Sequence, residues 1–117
     1  MPCLRILTNV PNSKIPKDFV NNIIPVLAKA VRKDVKKFSC VILGDCQLSF
    51  GGDSSQPGAV STLESIGHVA PEDNRVIGRE VSAFVQTHLG IHPDRFFISI
   101  YDIEGTNIVK GGDTIRE

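Results

Sequence analysis

The sequence predicts an α/β fold in which two βαβ halves form a four-stranded mixed sheet with two helices on one face. Two segments with helical apolar spacing alternate with four segments rich in β-branched and aromatic residues. The chain also resembles itself at an offset of 58 residues, the interval from Phe38 to Phe96. With 117 residues, 41% of them hydrophobic, the chain suits one domain, 1–117, made of repeats 1–58 and 59–117.

The first half contains a strand, a helix and a second strand. Residues 4–8 are predicted to form the first strand, and residues 38–43, which mix β-branched and aromatic side chains, the second. We expect Pro16 and Asp18 in the first turn of the helix between them, and a kink without a break at Pro25. The apolar face of this helix repeats every four residues, at Phe19, Ile23, Leu27 and Val31.

The second half repeats the same order. Residues 59–66 are predicted to form its first strand and residues 96–101 its last. Pro71, followed by two acidic residues, is typical of a helix start, and Gly90 is typical of a helix end. The predicted buried face of this helix consists of Ile77, Val81, Phe84, Val85 and Leu89.

This arrangement leaves one face of the sheet without helices. Strands 38–43 and 96–101 have apolar residues on both faces, so each face needs cover. We therefore expect oligomerisation, sheet against sheet, with short edge strands such as 47–50 or 107–109 shared between subunits. A monomer with a solvated sheet face is the alternative.

Charge and hydropathy exclude several classes of partner. Thirteen basic residues balance thirteen acidic ones, so no electrostatic footprint for nucleic acid or an anionic membrane is present. No apolar run reaches the length of a membrane span, and the N-terminus lacks the order of a secretory signal. We expect synthesis in the cytosol, export only without a leader, and small molecules or proteins as partners.

Neither a metal site nor a cofactor site is predicted. Cys3, Cys40 and Cys46 form no C-x-x-C pair and are interpreted as free thiols, with Cys40 packed in a strand. The histidines are not spaced as metal ligands. The sequence GGD occurs at 51–53 and again at 111–113, but neither copy precedes a helix as a phosphate-binding loop would.

Pro2 begins the predicted first strand and permits two interpretations. A proline is tolerated at the first residue of a strand, because its missing N–H falls outside the ladder. Alternatively, removal of Met1 would make Pro2 a secondary amine held in place by the sheet, able to act as a base.

Short motifs distributed along the whole chain now show a resemblance. They occur in order at fixed separations: MP at the start, TNVP at 8–11, FGG at 50–52, SIG at 65–67, DNR at 73–75 and PDR at 93–95. With the duplicated βαβ layout, they resemble the macrophage migration inhibitory factor family, which includes D-dopachrome tautomerase. The resemblance implies a homotrimer in which three sheets form a barrel wrapped by six helices, with a pocket at each subunit boundary.

The resemblance also implies a keto–enol tautomerase with Pro2 as its general base. Lys33 falls where the family places a lysine that holds the substrate carboxylate; without the family, its position at a helix end also fits dipole complementation. Ser65 and Ile66 fall where the family binds substrate through the isoleucine N–H, although Ser65 also fits a simple strand end. Burial in an apolar pocket would lower the pKa of an amine at Pro2 and keep it partly neutral near pH 7.

Several positions differ from the founding member. Phe97 and Ser99 replace a tyrosine and an asparagine contributed to the pocket by the neighbouring subunit, so an aromatic wall is kept while two polar groups are lost. Lys110 replaces a rim tryptophan and Ile115 a C-terminal phenylalanine. Residues 58–61 replace the C-x-x-C linked to thiol-oxidoreductase activity. We therefore expect an altered substrate range and no such redox activity.

Two hypotheses of different class follow from the resemblance. The first is an isomerase acting on phenylpyruvate-like or dopachrome-like substrates through Pro2. The second is a cytokine-like factor, secreted without a signal peptide, that binds a cell-surface receptor, the invariant chain in the family's case, with a vestigial pocket. A purely structural trimer is a third, which the pairing of Pro2 with Lys33 disfavours.

Overall fold

The computed structural model of the chain describes residues 1–116. Short 3-10 turns join its helices and strands. In chain order these are β1 (Cys3–Thr8), α1 (Phe19–Val31), β2 (Ser39–Leu43), β3 (Ala59–Ser65), α2 (Pro71–Leu89), β4 (Phe96–Asp102), β5 (Val109–Lys110) and β6 (Asp113–Thr114).

The main sheet has four strands in the order β2-β1-β3-β4. β1 runs parallel to β2, and β3 runs parallel to β4, as two βαβ units require. The two units join through the antiparallel pair β1 and β3. The predicted mixed sheet with two helices is therefore confirmed.

The core lies between the helices and one face of this sheet. Leu4 and Ile6 of β1 and Leu63 of β3 point into it and are buried. Phe84 is only partly buried and packs on Phe19, with ring centroids 5.6 Å apart. The other predicted helix-face residues are all buried: Phe19, Ile23, Leu27 and Val31 on α1, and Ile77, Val81, Val85 and Leu89 on α2.

The helix boundaries agree with the sequence at both ends of α2 and differ at the start of α1. α2 begins at Pro71, and Gly90 caps its end with φ +68° and an N–H bonded to the Gln86 carbonyl. α1 also runs through Pro25 without a break. The start of α1 was predicted too early, because its first turn begins at Phe19 and the Pro16 carbonyl accepts the Phe19 N–H from outside the helix.

The expected edge strands differ from the structure of the single chain. Residues 47–50 form no strand, since only Phe50 makes an isolated bridge, to Asp53. In 107–109 only Val109 is in a strand, and it pairs within the chain, in the β5–β6 hairpin. Each of these two segments would need a backbone partner in another subunit to become an edge strand. The sharing of edge strands between subunits therefore remains a prediction.

Both GGD sequences form tight reverse turns. The glycine pairs have φ of +59° and +88° at 51–52, and +65° and +87° at 111–112. Positive φ at both central residues joins antiparallel backbone segments in a two-residue turn, and glycine adopts it without strain. The first turn closes the Phe50–Asp53 bridge, and the second joins β5 to β6.

The sheet face opposite the helices is apolar and exposed in the single chain. Its large side chains are between 45% and 55% exposed. They are Leu7, Val41, Leu43, Phe97 and Tyr101. This is the uncovered face expected from the two-sided strands. Within residues 1–116, no helix is long and apolar enough to cross a membrane.

Candidate active site

Pro2 is buried immediately before β1. Its carbonyl accepts the Ser39 N–H at 3.0 Å, which fixes the start of β1 against β2. While Met1 is attached, the Pro2 nitrogen is an amide and has no basicity. Met1 lines a cavity of about 600 Å³ together with Cys3, Glu64 and residues from the segment after β4. Removal of Met1 would therefore leave the Pro2 amine beside this cavity.

Lys33 follows α1 directly, where the chain turns. Arg32 ends the helix in a left-handed conformation with φ +62°, and the Lys33 N–H bonds to the Ala28 carbonyl at 3.1 Å. This turn directs the side chain towards the end of β3. There Lys33 Nζ donates a hydrogen bond to the Ile66 carbonyl at 2.8 Å. A half-buried ammonium group thus lies at the carboxyl end of β3.

Ser65 and Ile66 are both buried at the end of β3. Ser65 Oγ donates to the Gly67 carbonyl at 2.9 Å, and the Ser65 carbonyl accepts the Ile103 N–H at 2.8 Å. The Gly67 N–H in turn donates to Asp102 Oδ1 at 2.9 Å. The hydroxyl of Ser65 therefore holds the turn that follows it, and the turn is fastened to the end of β4.

The cavity beside Lys33 and the cavity beside Met1 adjoin each other. Lys33, Ile66 and His68 line a second cavity of about 600 Å³. The three residues 102–104 line both cavities. The structure therefore brings Pro2, Lys33, Ser65 and Ile66 to one end of the sheet.

Phe97 and Ser99 lie elsewhere in the single chain. In the β3–β4 register Phe97 is opposite Val60 and Ser99 is opposite Thr62. Ile66 is six residues beyond Val60, so Phe97 lies about 20 Å from it along the sheet, at about 3.3 Å per residue. Phe97 lines a different cavity, of about 490 Å³, beside α2. One chain does not bring all the predicted site residues together.

Charged residues that the sequence analysis did not single out surround Lys33. Arg32 and Lys37 add positive charge to its cavity, and Asp34, Asp102 and Glu104 add negative charge. His68 Nδ1 lies 2.7 Å from the Val31 carbonyl at the end of α1. Asp102 and Glu104 lie at the end of β4, and a parallel β3–β4 pair brings the ends of both strands to one edge. The strand topology could therefore have located Asp102 and Glu104 from the sequence, although no motif marks them.

Burial and a hydrogen bond explain the shifted pKa values of Cys40 and Arg5, two residues close to Pro2 in the sheet. All three cysteines are free. Burial, with a smaller contribution from Cys3, raises the pKa of the Cys40 thiol to about 11. Cys40 is therefore protonated and poorly nucleophilic at neutral pH. On the uncovered sheet face, the hydrogen bond from Arg5 to Glu64 raises the pKa of the Arg5 guanidinium.

Comparison with known proteins yields one family along the full length. The family model for macrophage migration inhibitory factor matches residues 1–116. The macrophage migration inhibitory factor of Meriones unguiculatus is 32% identical over 114 residues, covering 97% of this chain and 98% of that protein. The MIF-like protein mif-2 of Caenorhabditis elegans is 30% identical over 117 residues, covering 100% of this chain and 97% of that protein.

Solved structures give the same match. The macrophage migration inhibitory factor from Trichinella spiralis superimposes with a TM-score of 0.91 at 29% identity, covering 96% of this chain and 98% of that one. The one from Oncomelania hupensis has a TM-score of 0.92 at 23% identity, covering 98% of this chain and 82% of that one. At that lower identity, the second comparison shows the fold alone.

Proposed function

Because the chain belongs to the macrophage migration inhibitory factor family, we propose that it is a keto–enol tautomerase whose general base is Pro2 after removal of Met1. Membership of the family supports a tautomerase or cytokine-like role in general. The proposed substrates are small aromatic α-keto acids such as phenylpyruvate, or dopachrome-like compounds. Pro2 removes a proton from the carbon next to the ketone, and the proton returns to oxygen, or the reverse.

The observation on which this proposal depends is the hydrogen bond of Lys33 Nζ to the Ile66 carbonyl. It holds an ammonium group at the end of β3, in a cavity that adjoins the one beside the N-terminus. An ammonium group in that position suits the carboxylate of an α-keto acid. Its charge also disfavours protonation of a nearby amine, which keeps that amine able to accept a proton.

The backbone at the end of β3 supplies the rest of the proposed contact with substrate. Ser65 holds the turn and Ile66 provides main-chain groups, which are fixed in position before the substrate arrives. Phe97 and Ser99 are proposed to come from a neighbouring subunit of a homotrimer. The distance of about 20 Å between Phe97 and Ile66 in one chain supports this, because a second copy is then needed to complete the pocket.

The test is the ketonisation of phenylpyruvate enol by protein confirmed by mass to lack Met1. Pro2→Gly is expected to reduce the rate to background, since it removes the secondary amine while keeping a free N-terminus. Pro16→Gly is the matched control, because Pro16 is an exposed proline outside the helix. Equal rates in wild type and Pro2→Gly would refute the role of Pro2.

A cytokine-like role is the second candidate. Family membership favours it, and the loss of polar groups at Phe97 and Ser99 is consistent with a pocket under reduced catalytic demand. In this proposal the protein is made in the cytosol, leaves the cell without a signal peptide and binds a receptor of the invariant-chain type. Receptor binding that is unchanged in Pro2→Gly would show that the surface acts independently of the base.

A further inference from the structure

The loop of residues 50–57 is fastened by Arg95, at the end of the sheet away from Lys33. Arg95 Nε donates to the Pro57 carbonyl at 2.9 Å. One terminal nitrogen of the guanidinium donates to the carbonyls of Gln56 and Asp53, at 2.9 and 3.1 Å. The other terminal nitrogen lies 3.8 Å from the Asp53 carboxylate, and the Arg95 side chain is only 17% exposed. A single side chain thus closes the loop through three carbonyls and one carboxylate.

The loop is also held from inside. Ser55 donates its N–H and its hydroxyl to Asp53 Oδ1, at 2.8 and 2.6 Å. These bonds, with a smaller effect of Arg95, keep the pKa of the Asp53 carboxyl below its usual value. The carboxylate therefore stays charged opposite the guanidinium at neutral pH.

In the fastened loop, the ring of Phe50 lies between the Arg95 guanidinium and the ring of Phe97. The Arg95 guanidinium lies 5.3 Å from the centre of the Phe50 ring. Phe50 also meets Phe97 edge to face, with ring centroids 6.1 Å apart and planes at 66°. A Cβ at Gly58 would lie 3.0 Å from the Phe50 ring, so the absence of a side chain there lets the ring approach the backbone.

We infer that Phe50 and Arg95 are positioning residues that fix the ring of Phe97, so that the preference of the proposed pocket for an aromatic ring depends on the fastened loop. The inference rests on the proposed function, which assigns Phe97 to the pocket wall. Phe97 is 49% exposed in the single chain although it packs on Phe50, and in the proposed trimer this part of its ring faces the neighbouring subunit, whose half of the pocket it completes. Paired aromatic rings prefer particular geometries, so a ring free to turn would stack less well.

The test compares two ligands that cannot be enolised, phenyllactate and 4-methyl-2-hydroxypentanoate. Both offer a carboxylate and a hydroxyl, and only the first has a ring. Calorimetric titration of protein lacking Met1 should show that Phe50→Leu weakens phenyllactate about 3- to 10-fold. The affinity for the aliphatic acid should change less than about twofold, because its carboxylate contact is retained. Arg95→Gln should act in the same direction.

Two further variants separate positioning from general damage. Phe50→Tyr keeps the ring and should keep the affinity for phenyllactate. Phe84→Leu removes a ring of similar size that packs on Phe19 on the helix side of the sheet, and it should not change the preference between the two acids. Melting temperature and sedimentation of every variant identify any that fail to fold or assemble.

Equal weakening of both acids, no weakening in Phe50→Leu, or a wild-type protein that prefers neither acid would overturn the inference. The titration requires no turnover, so its outcome is separate from that of the Pro2 experiment. Ring preference that depends on Phe50 in a protein without tautomerase activity would support the inference and refute only the catalytic role. Turnover that depends on Pro2 in a protein without ring preference would refute the inference and support the catalytic role.

Discussion

At the scale of single residues, two hydroxyl groups in the core have opposite hydrogen-bonding states. Thr8 is fully buried, and its Oγ1 donates to the Gly58 carbonyl at 2.6 Å and accepts the Val10 N–H at 3.1 Å. Ser61 is almost as buried, but its Oγ has no partner within residues 1–116. Stability should therefore depend strongly on the first hydroxyl and weakly on the second.

Thr8→Val is expected to lower the free energy of unfolding by about 1–3 kcal/mol, because two buried backbone groups lose their partner. Ser61→Ala, the matched control, should be neutral or slightly stabilising, since it removes a polar atom that was buried without a bond. Urea denaturation at one fixed protein concentration measures both. A larger loss in Ser61→Ala than in Thr8→Val would contradict the hydrogen-bond assignment.

The Cys40 thiol provides a prediction about pH. With a pKa of about 11, it is a thiolate in about one molecule in a thousand at pH 8. Alkylation of Cys40 by iodoacetamide, followed by peptide mass spectrometry, should therefore be slow at pH 8 in the native protein and fast in concentrated urea. Because the folded-state pKa is raised, the stability that Cys40 contributes should fall as pH rises from 9.0 towards 11. Equal native and denatured labelling rates would refute the effect of burial.

At the scale of elements, the candidate site forms where the ends of one helix and two strands lie close together. α1 ends at Val31, β3 ends at Ser65 and β4 ends at Asp102. Hydrogen bonds from Lys33 to Ile66 and from Gly67 to Asp102 connect these ends. The position of the Lys33 ammonium group therefore depends on where a helix stops, and the contact is not one between neighbours in the sequence.

Lys33→Ala is expected to raise the KM for phenylpyruvate about 10- to 100-fold, the effect of losing a charge-assisted hydrogen bond to a carboxylate. The kcat should change less, because the lysine holds the substrate and is not the proposed base. Lys36→Ala is the control, since Lys36 is an exposed lysine three residues away that does not line the cavity. Steady-state kinetics with similar KM values in both variants would exclude carboxylate binding by Lys33.

The elements show why some features could be predicted from the sequence. The end of α2 at Gly90 and its start at Pro71 depend on local backbone chemistry, which short segments contain. The start of α1 was placed wrongly because Pro16 suits a 3-10 or extended segment as well as a helix start. Residues 47–50 have a strand-like composition, yet a strand requires a partner that the single chain does not supply. The SIG motif contains Ile66 and the family resemblance indicated Lys33, but the contact between them depends on tertiary structure.

At the scale of the whole molecule, the uncovered sheet face is the largest feature that one chain leaves unexplained. In the strand registers, Leu43, Leu7, Val60 and Phe97 lie side by side across all four strands. An apolar row of this length on an exposed face is typical of an interface. The proposed trimer would cover it with the equivalent faces of two other copies.

Val41→Lys is expected to dissociate the proposed trimer into monomers in sedimentation velocity experiments. Val41 is 51% exposed on this face and lies beside Arg5 in the strand register, so the new charge would be buried next to a like charge. Val35→Lys is the control, because Val35 is 47% exposed in the turn after α1, outside the sheet. Trimers in both variants would show that this face does not form the interface.

The separation of Pro2 from Phe97 has a genetic consequence if the site is shared between copies. Pro2→Gly and Phe97→Ala would each be inactive as homotrimers, but each still provides the half-site that the other lacks. A mixed ring always contains one boundary where an intact Pro2 meets an intact Phe97. Co-expression of the two defective genes should therefore restore part of the activity. Two defects at the same end of the sheet, Pro2→Gly and Lys33→Ala, should not complement each other, because no boundary in any mixture regains both groups.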